Sequence, residues 1–319
     1  MRPSVTVTLP RCDMAKNISP MTLGTVQLGM NYGIANAAGK PSEEQSFSIL
    51  RTALEGGITA LDTARAYGDS ELVIGRFLKQ WQGEKPAIIT KVPALQGTTP
   101  KELEKFVTES VEQSLERLGV NKLESVMLHG AKDPIIHGKA CADAVKALID
   151  HGYTDKVGVS VYTAEDIEGM LNYDIFSLTQ VPMSIFDQRL IAGGWIDKLK
   201  DRDYTVYVRS VFLQGLFFLD PDKMIDPILL QHAAPKLRLL RQIAEAENMT
   251  LAQLAIAFIR DCPGVTSLVL GADTPAQVQE NLKQFDTAPL SESVMAQLNR
   301  EFATVDIPAI MQVLSRPKQ

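Results

Sequence analysis

The chain has 319 residues, 45% of them apolar and 22% charged, a balance that supports a large core and excludes disordered or fibrous classes. Its net charge of −6, with no dense Lys/Arg cluster, argues against binding to nucleic-acid phosphates. No run approaches the about 18 apolar residues of a membrane span, and no continuous apolar stretch precedes Gly24 as a secretory signal requires.

Cys12, Cys141 and Cys262 stand far apart with no CxxC, so reduced thiols in a cytoplasmic protein are expected. The histidines at 129, 137, 151 and 232 show no ligand spacing, and no metal is expected. Residues 1–20 read as an N-terminal extension in which Ser4 to Leu9 alternates enough for a short strand. Met21 to Leu28 is the first predicted strand.

Ser42 and Gln45 then make a capping box for a helix with Phe47, Leu50 and Leu54 on its stripe, stopped by Gly56-Gly57. Ile58 to Leu61 reads as a buried second strand with Asp62 at its carboxyl end and Tyr67 on the following loop. From Ser70 the period becomes helical, with Ile74, Phe77, Leu78 and Trp81 on one face. Ala87 to Val92 is β-rich and ends at Pro93. Thr99-Pro100-Lys101-Glu102 has the form of another capping box, opening a helix that Gly119 ends. Leu123 to His129 is the fourth strand, and Cys141 to Asp150 a helix closing near Gly152.

Val157 to Val161, Phe176 to Val181 and Thr205 to Ser210 are strands five to seven, with helical sequence at Ala164 to Leu171 and Trp195 to Asp201 between them. Val211 to Gln231 reads as a long apolar, turn-rich loop, a length usually tied to function. Helical patterns at Pro235 to Glu247 and Leu251 to Asp261 precede strand eight, Thr266 to Leu270. Thr274 caps the last core helix, with Val278, Leu282 and Phe285 inward. The tail from Phe302 carries Ile307, Ile310, Met311 and Leu314, which suit either a cover for the barrel or a contact with a partner. Such alternation implies parallel strands with right-handed crossovers. Eight units favour the α/β class and a closed (β/α)8 TIM barrel, one domain over 21–319. Nothing specifies an oligomer, and a monomer is expected.

In such a barrel the ends of strands two, three and four carry Asp62, Lys91 and His129, with Tyr67 beside them. One strand-end lysine or core histidine is ordinarily structural. Four ionisable groups on adjacent strand ends form a proton-transfer constellation instead. A phenol with a pKa of about 10 is a poor acid at neutral pH, so a neighbouring ammonium is expected to stabilise the phenolate and improve Tyr67 as a donor.

The sequence resembles the aldo-keto reductase family along Leu23 to Phe285. The resemblance rests on Leu61-Asp62-Thr-Ala-Arg-Ala-Tyr67-Gly-Asp-Ser-Glu71, on Ile-Thr-Lys91-Val and Met-Leu-His129-Gly, on Val157-Gly-Val-Ser160, and on Arg209-Ser210-Val-Phe212-Leu213-Gln-Gly215. Gly24-Thr25-Val-Gln-Leu-Gly and Tyr32-Gly33-Ile-Ala-Asn resemble segments of bacterial members. The resemblance implies catalytic Asp62, Tyr67, Lys91 and His129: Tyr67 gives the proton, Asp62 pairs with Lys91, and His129 orients the carbonyl. The substrate implied is a small aldehyde or ketone, sugar-derived ones included. The cofactor implied is NADP(H), contacted by Gly24, Thr25, Asp62, Ser160, Gln180 (at the nicotinamide amide), Ser210, Phe212, Leu213, Gly215, Gly271, Gln277, Glu280 and Asn281.

Two departures stand out. Gly271 and Gln277 occupy the positions where many NADPH-dependent members place a Lys and an Arg for the 2′-phosphate, and Asp273 adds negative charge, so these residues favour dual use or NAD(H). Val161 replaces a common carboxamide-binding Asn. Met30, Asn31, Tyr32, Trp81 and Trp195 are candidates for substrate contact. Two other functions fit parts of the pattern: a slow cofactor-binding regulatory subunit of the same fold, and a Schiff-base lyase using Lys91.

Overall fold

Within the residues that the computed structural model describes, 18–36 and 39–316, eight parallel strands close into a barrel. They are β1 (Met21–Gly24), β2 (Ala60–Asp62), β3 (Ala87–Val92), β4 (Ser125–Leu128), β5 (Val157–Ser160), β6 (Phe176–Pro182), β7 (Thr205–Arg209) and β8 (Ser267–Gly271). Each pairs with the next in sequence, and β8 returns to β1 with Gly24 opposite Gly271. Helices outside the strands complete the single-domain (β/α)8 TIM barrel the sequence predicts. The strand expected within Ser4–Leu9 lies outside the described residues, as does Cys12.

Strand alternation decides where each side chain looks. Leu61, Ile88, Val126, Val159, Val206 and Leu268 join the helices in the large outer core. Ala60, Ile89, Met127, Leu178 and Tyr207 fill the bore. Burying Met127 and Leu178 there contributes about 1.5–3 kcal/mol each. Two residues further along the same faces come Asp62, Lys91, His129, Gln180 and Arg209. Period two therefore raises the polar residues to the carboxyl-end rim, directly above an apolar floor.

Several elements differ from expectation. The first strand stops at Gly24 because the Thr25 N–H and hydroxyl both bond the Asp62 carbonyl (3.0 and 2.8 Å), drawing the chain off the sheet into a helical turn at Val26–Gly29. The capping box at Ser42 forms. Only half of the one at Thr99 forms: its N–H donates to the Glu102 carboxylate (3.2 Å), but its hydroxyl donates to the same carboxylate (2.6 Å) rather than accepting from the Glu102 N–H, and the helix begins at Leu103. The helix expected from Cys141 spans Asp133–Asp150, bent at Gly138, whose φ of 57° breaks the pattern the sequence would show.

The segment 211–231 is no simple loop. It holds 3-10 turns at Leu213–Phe218 and Pro221–Lys223 and the start of a helix at Pro227–His232. A short helix at Arg189–Ala192 has too few residues to show a period. The tail packs on its own chain through helices Glu292–Phe302 and Ile307–Leu314. Phe302 stacks on Phe186 at 5.3 Å, and Ile307, Ile310 and Leu314 are buried.

Candidate active site

The loop after β2 is held from both sides. Gly29 packs so closely on it that a Cβ there would lie 1.7 Å from the Tyr67 carbonyl oxygen. Below it, buried Glu71 accepts the Thr90 hydroxyl (2.8 Å) and pairs with Arg65 (3.2 Å) and Arg117 (3.1 Å). Arg117 also donates to the Gly68 carbonyl at 2.7 Å. One carboxylate thus fixes the Tyr67 loop to β3 beside Lys91.

Above that anchor the four groups meet. Lys91, 0% exposed, donates to Asp62 Oδ1 at 2.6 Å and to the Thr63 carbonyl at 3.1 Å. Its Nζ lies 5.1 Å from the centroid of the Tyr67 ring. Tyr67 and His129 meet edge to face, with centroids 5.8 Å apart. Gln180 also reaches Asp62 Oδ1, at 2.9 Å, so its amide braces the ion pair.

Electrostatics here depart from the simple expectation for Tyr67. Burial first, and the Asp62 carboxylate second, push its phenol well above the ordinary range, with Arg209 opposing. The Lys91 charge is engaged by Asp62, and burial still pulls Lys91 below its usual value. The phenol therefore keeps its proton throughout the physiological range. Burial, then Lys91 and Arg209, lower His129 from 6.5 to about 4, so its imidazole is neutral.

Since the folded value lies below the unfolded one, the unfolded chain takes up the proton first. His129 thus costs stability as pH falls from 6.5, and the loss stops growing near pH 4, where it is on the order of 3 kcal/mol. The difference in unfolding free energy between wild type and His129→Asn, measured across that range, is expected to shrink with this slope. A pH-independent difference would rule out a buried neutral His129.

A cavity of about 640 Å³ opens on Asp62 and Tyr67, with Lys91 and His129 outside its lining, and runs past β7 and β8 to the helix Pro275–Phe285. Of the expected cofactor residues, Gly24, Thr25, Asp62, Gln180, Ser210, Phe212, Gly215, Gly271, Gln277, Glu280 and Asn281 line it. Ser160 and Leu213, both buried, do not, and Leu213 packs in the core. Tyr32 lines the cavity. Trp81 instead stacks on Phe77 at the periphery, and Trp195 lies under Lys198.

Residues not singled out beforehand complete the wall, among them Gln27, Asn36, Arg209, Phe218, Thr250 and Gln284. Only Arg209 had a readable signal, its parity with Tyr207; Gln284 comes from the last turn of the helix Pro275–Phe285, and the others from loops, short helical turns and a helix cap. At the far end Asp273 accepts from Asn36 (2.9 Å), and the Asp273 N–H is taken by Gln277 (2.6 Å). Near the rim the Val161 carbonyl accepts from Arg209 (3.2 Å), so the polar group at that level is a guanidinium.

Among the described residues no three His, Cys, Asp or Glu side chains gather as metal ligands, and no helix is long and apolar enough to cross a membrane. The Aldo/keto reductase family model matches residues 20–301. L-glyceraldehyde 3-phosphate reductase of Escherichia coli (strain K12) is 24% identical, with 89% of this chain and 90% of that relative covered. The holo form of aldo-keto reductase AKR11C1 from Bacillus halodurans superposes with a TM-score of 0.74 at 22% identity, over 92% of this chain and 96% of that one. An aldo/keto reductase from Klebsiella pneumoniae in complex with NADP and acetate does so with a TM-score of 0.68 at 22% identity, over 93% and 96%.

Proposed function

The chain belongs to the aldo/keto reductase family of NAD(P)H-dependent oxidoreductases, and from that premise we propose that it reduces a small aldehyde or ketone to the alcohol with Tyr67 as proton donor. The observation that carries this reading is that Tyr67 and Asp62 line one end of an elongated cavity, with Lys91 paired to Asp62 beneath the Tyr67 ring and neutral His129 edge-on to that ring. The dinucleotide supplies the hydride.

The chain's own groups handle the proton. Tyr67 holds it at the phenol oxygen until negative charge develops on the carbonyl oxygen. His129, neutral and edge-on to Tyr67, donates a hydrogen bond to that same oxygen. Lys91, fixed by Asp62, keeps a positive charge beneath the ring, which stabilises the phenolate left behind. The E. coli relative is named for an aldehyde substrate, which makes small aldehydes the first class to test.

The cavity suits a dinucleotide, yet its far end suits a 2′-hydroxyl better than a 2′-phosphate. Asp273 and Glu280 line that end, Gln277 is engaged with the Asp273 backbone, and the one lining cation among the described residues, Arg209, is at the other end. Among the described residues a phosphate dianion there meets the Glu280 carboxylate and no cation, whereas a ribose hydroxyl can donate to that carboxylate. NADH is therefore expected to bind at least as tightly as NADPH when each is titrated into the wild-type protein and fluorescence quenching is followed. A clear preference for NADPH would overturn the cofactor reading. Failure to bind either, or binding with no oxidation of NADH or NADPH by any small aldehyde, would overturn the reductase reading.

A further inference from the structure

Arg209 ends β7 on the face that carries Tyr207 in the bore, so its side chain enters the cavity at the reaction end. Its position is fixed: Nη2 donates to the Val161 carbonyl at 3.2 Å, and the guanidinium lies 4.3 Å from the centroid of the Tyr162 ring. The remaining polar contact, Nη1 to the Ser210 hydroxyl, is long at 3.5 Å. Five N–H donors make up the guanidinium fork, and these contacts leave part of it facing the cavity. No ion pair joins Arg209 to a carboxylate among the described residues. Asp62, the acid at this end, is occupied by Lys91 and Gln180.

The Arg209 charge is felt at Tyr67, His129 and Lys91, which places it within electrostatic reach of the reacting groups. A half-buried cation in a cleft is favourable only when an anion answers it, and a planar fork answers carboxylate and phosphate oxygens best. The Tyr162 ring against which Arg209 lies is exposed, and no carboxylate among the described residues pairs with the guanidinium. Building on the carbonyl-reductase reading, we infer that Arg209 selects an anionic substrate: a small aldehyde or ketone carrying a carboxylate or phosphate, which Arg209 holds while the carbonyl oxygen faces Tyr67.

The test is calorimetric titration of the full-length protein loaded with oxidised dinucleotide, so that binding is read without turnover. The ligands are glyceraldehyde 3-phosphate against glyceraldehyde, and succinic semialdehyde against butanal. In wild type the charged member of at least one pair is expected to bind about tenfold to a hundredfold tighter, the usual range for a charge-assisted pair. The pair that shows the preference identifies phosphate or carboxylate as the anion. Arg209→Gln is expected to abolish the preference. Arg209→Lys, which keeps the charge without the fork, is expected to retain only part of it and covers the case in which the Gln variant does not fold.

Equal binding of charged and neutral ligands by the wild type overturns the assignment. So does a preference that survives unchanged in both variants, or loss of dinucleotide affinity in Arg209→Lys with the preference intact, which would give Arg209 to the cofactor. If the charge preference appears but no carbonyl is turned over, the reductase reading fails while the anion site stands.

Discussion

Tyr67→Phe is expected to lower kcat for aldehyde reduction by about 10²- to 10⁴-fold, the range over which a positioned general acid acts. Dinucleotide affinity and melting temperature are expected to stay near wild type. The reason is geometric: the ring keeps its packing against His129 and its place above Lys91, while only the hydroxyl is lost, and no protein partner bonds that hydroxyl among the described residues. Steady-state kinetics beside a dinucleotide titration separate the two effects. A kcat within a few-fold of wild type would remove Tyr67 from the proton-donor role and leave the same cavity without an acid, since His129 is neutral and Lys91 is engaged by Asp62.

Asp62→Asn is expected to be the most damaging substitution to stability, at about 3–5 kcal/mol, because it leaves the Lys91 ammonium buried without a counter-charge. Lys91→Met leaves Asp62 in the corresponding position and is expected to cost a similar amount. The double variant removes both charges, so its unfolding free energy should recover most of the loss. Its activity should not recover, because the positive charge beneath Tyr67 is gone. Urea unfolding of the four proteins gives the coupling energy of the pair. Additive costs in that cycle would mean that Asp62 and Lys91 are not coupled as their 2.6 Å contact implies.

Much of the fold was legible because its signals are local. Apolar runs of strand length, the Ser42–Gln45 box and the Gly119 stop (φ of 66°) each act within a few residues of chain. The same locality explains the errors. Nothing near Gly24 announces that Thr25 will bond the Asp62 carbonyl, thirty-seven residues on, and leave the sheet. At Thr99 half of the pattern forms, but the Glu102 carboxylate takes the hydroxyl as well as the N–H, so the Glu102 N–H bonds the Thr99 carbonyl instead.

The sequence by itself determined the order of strands and helices, the inward parity of Asp62, Lys91 and His129, and the lack of cations along Gly271–Asn281. Those follow from the two-residue period of a strand and from residue identity, which need no knowledge of the rest of the chain. Only the tertiary structure decided that Lys91 spends its charge on Asp62, that Gln180 braces this pair from β6, and that Tyr67 is held protonated. It alone left Arg209 facing the cavity with no carboxylate partner among the described residues. These outcomes depend on burial and on distances set by barrel closure. Desolvation and pairing energies change steeply over a few ångströms, between groups that are 29 and 118 residues apart in sequence.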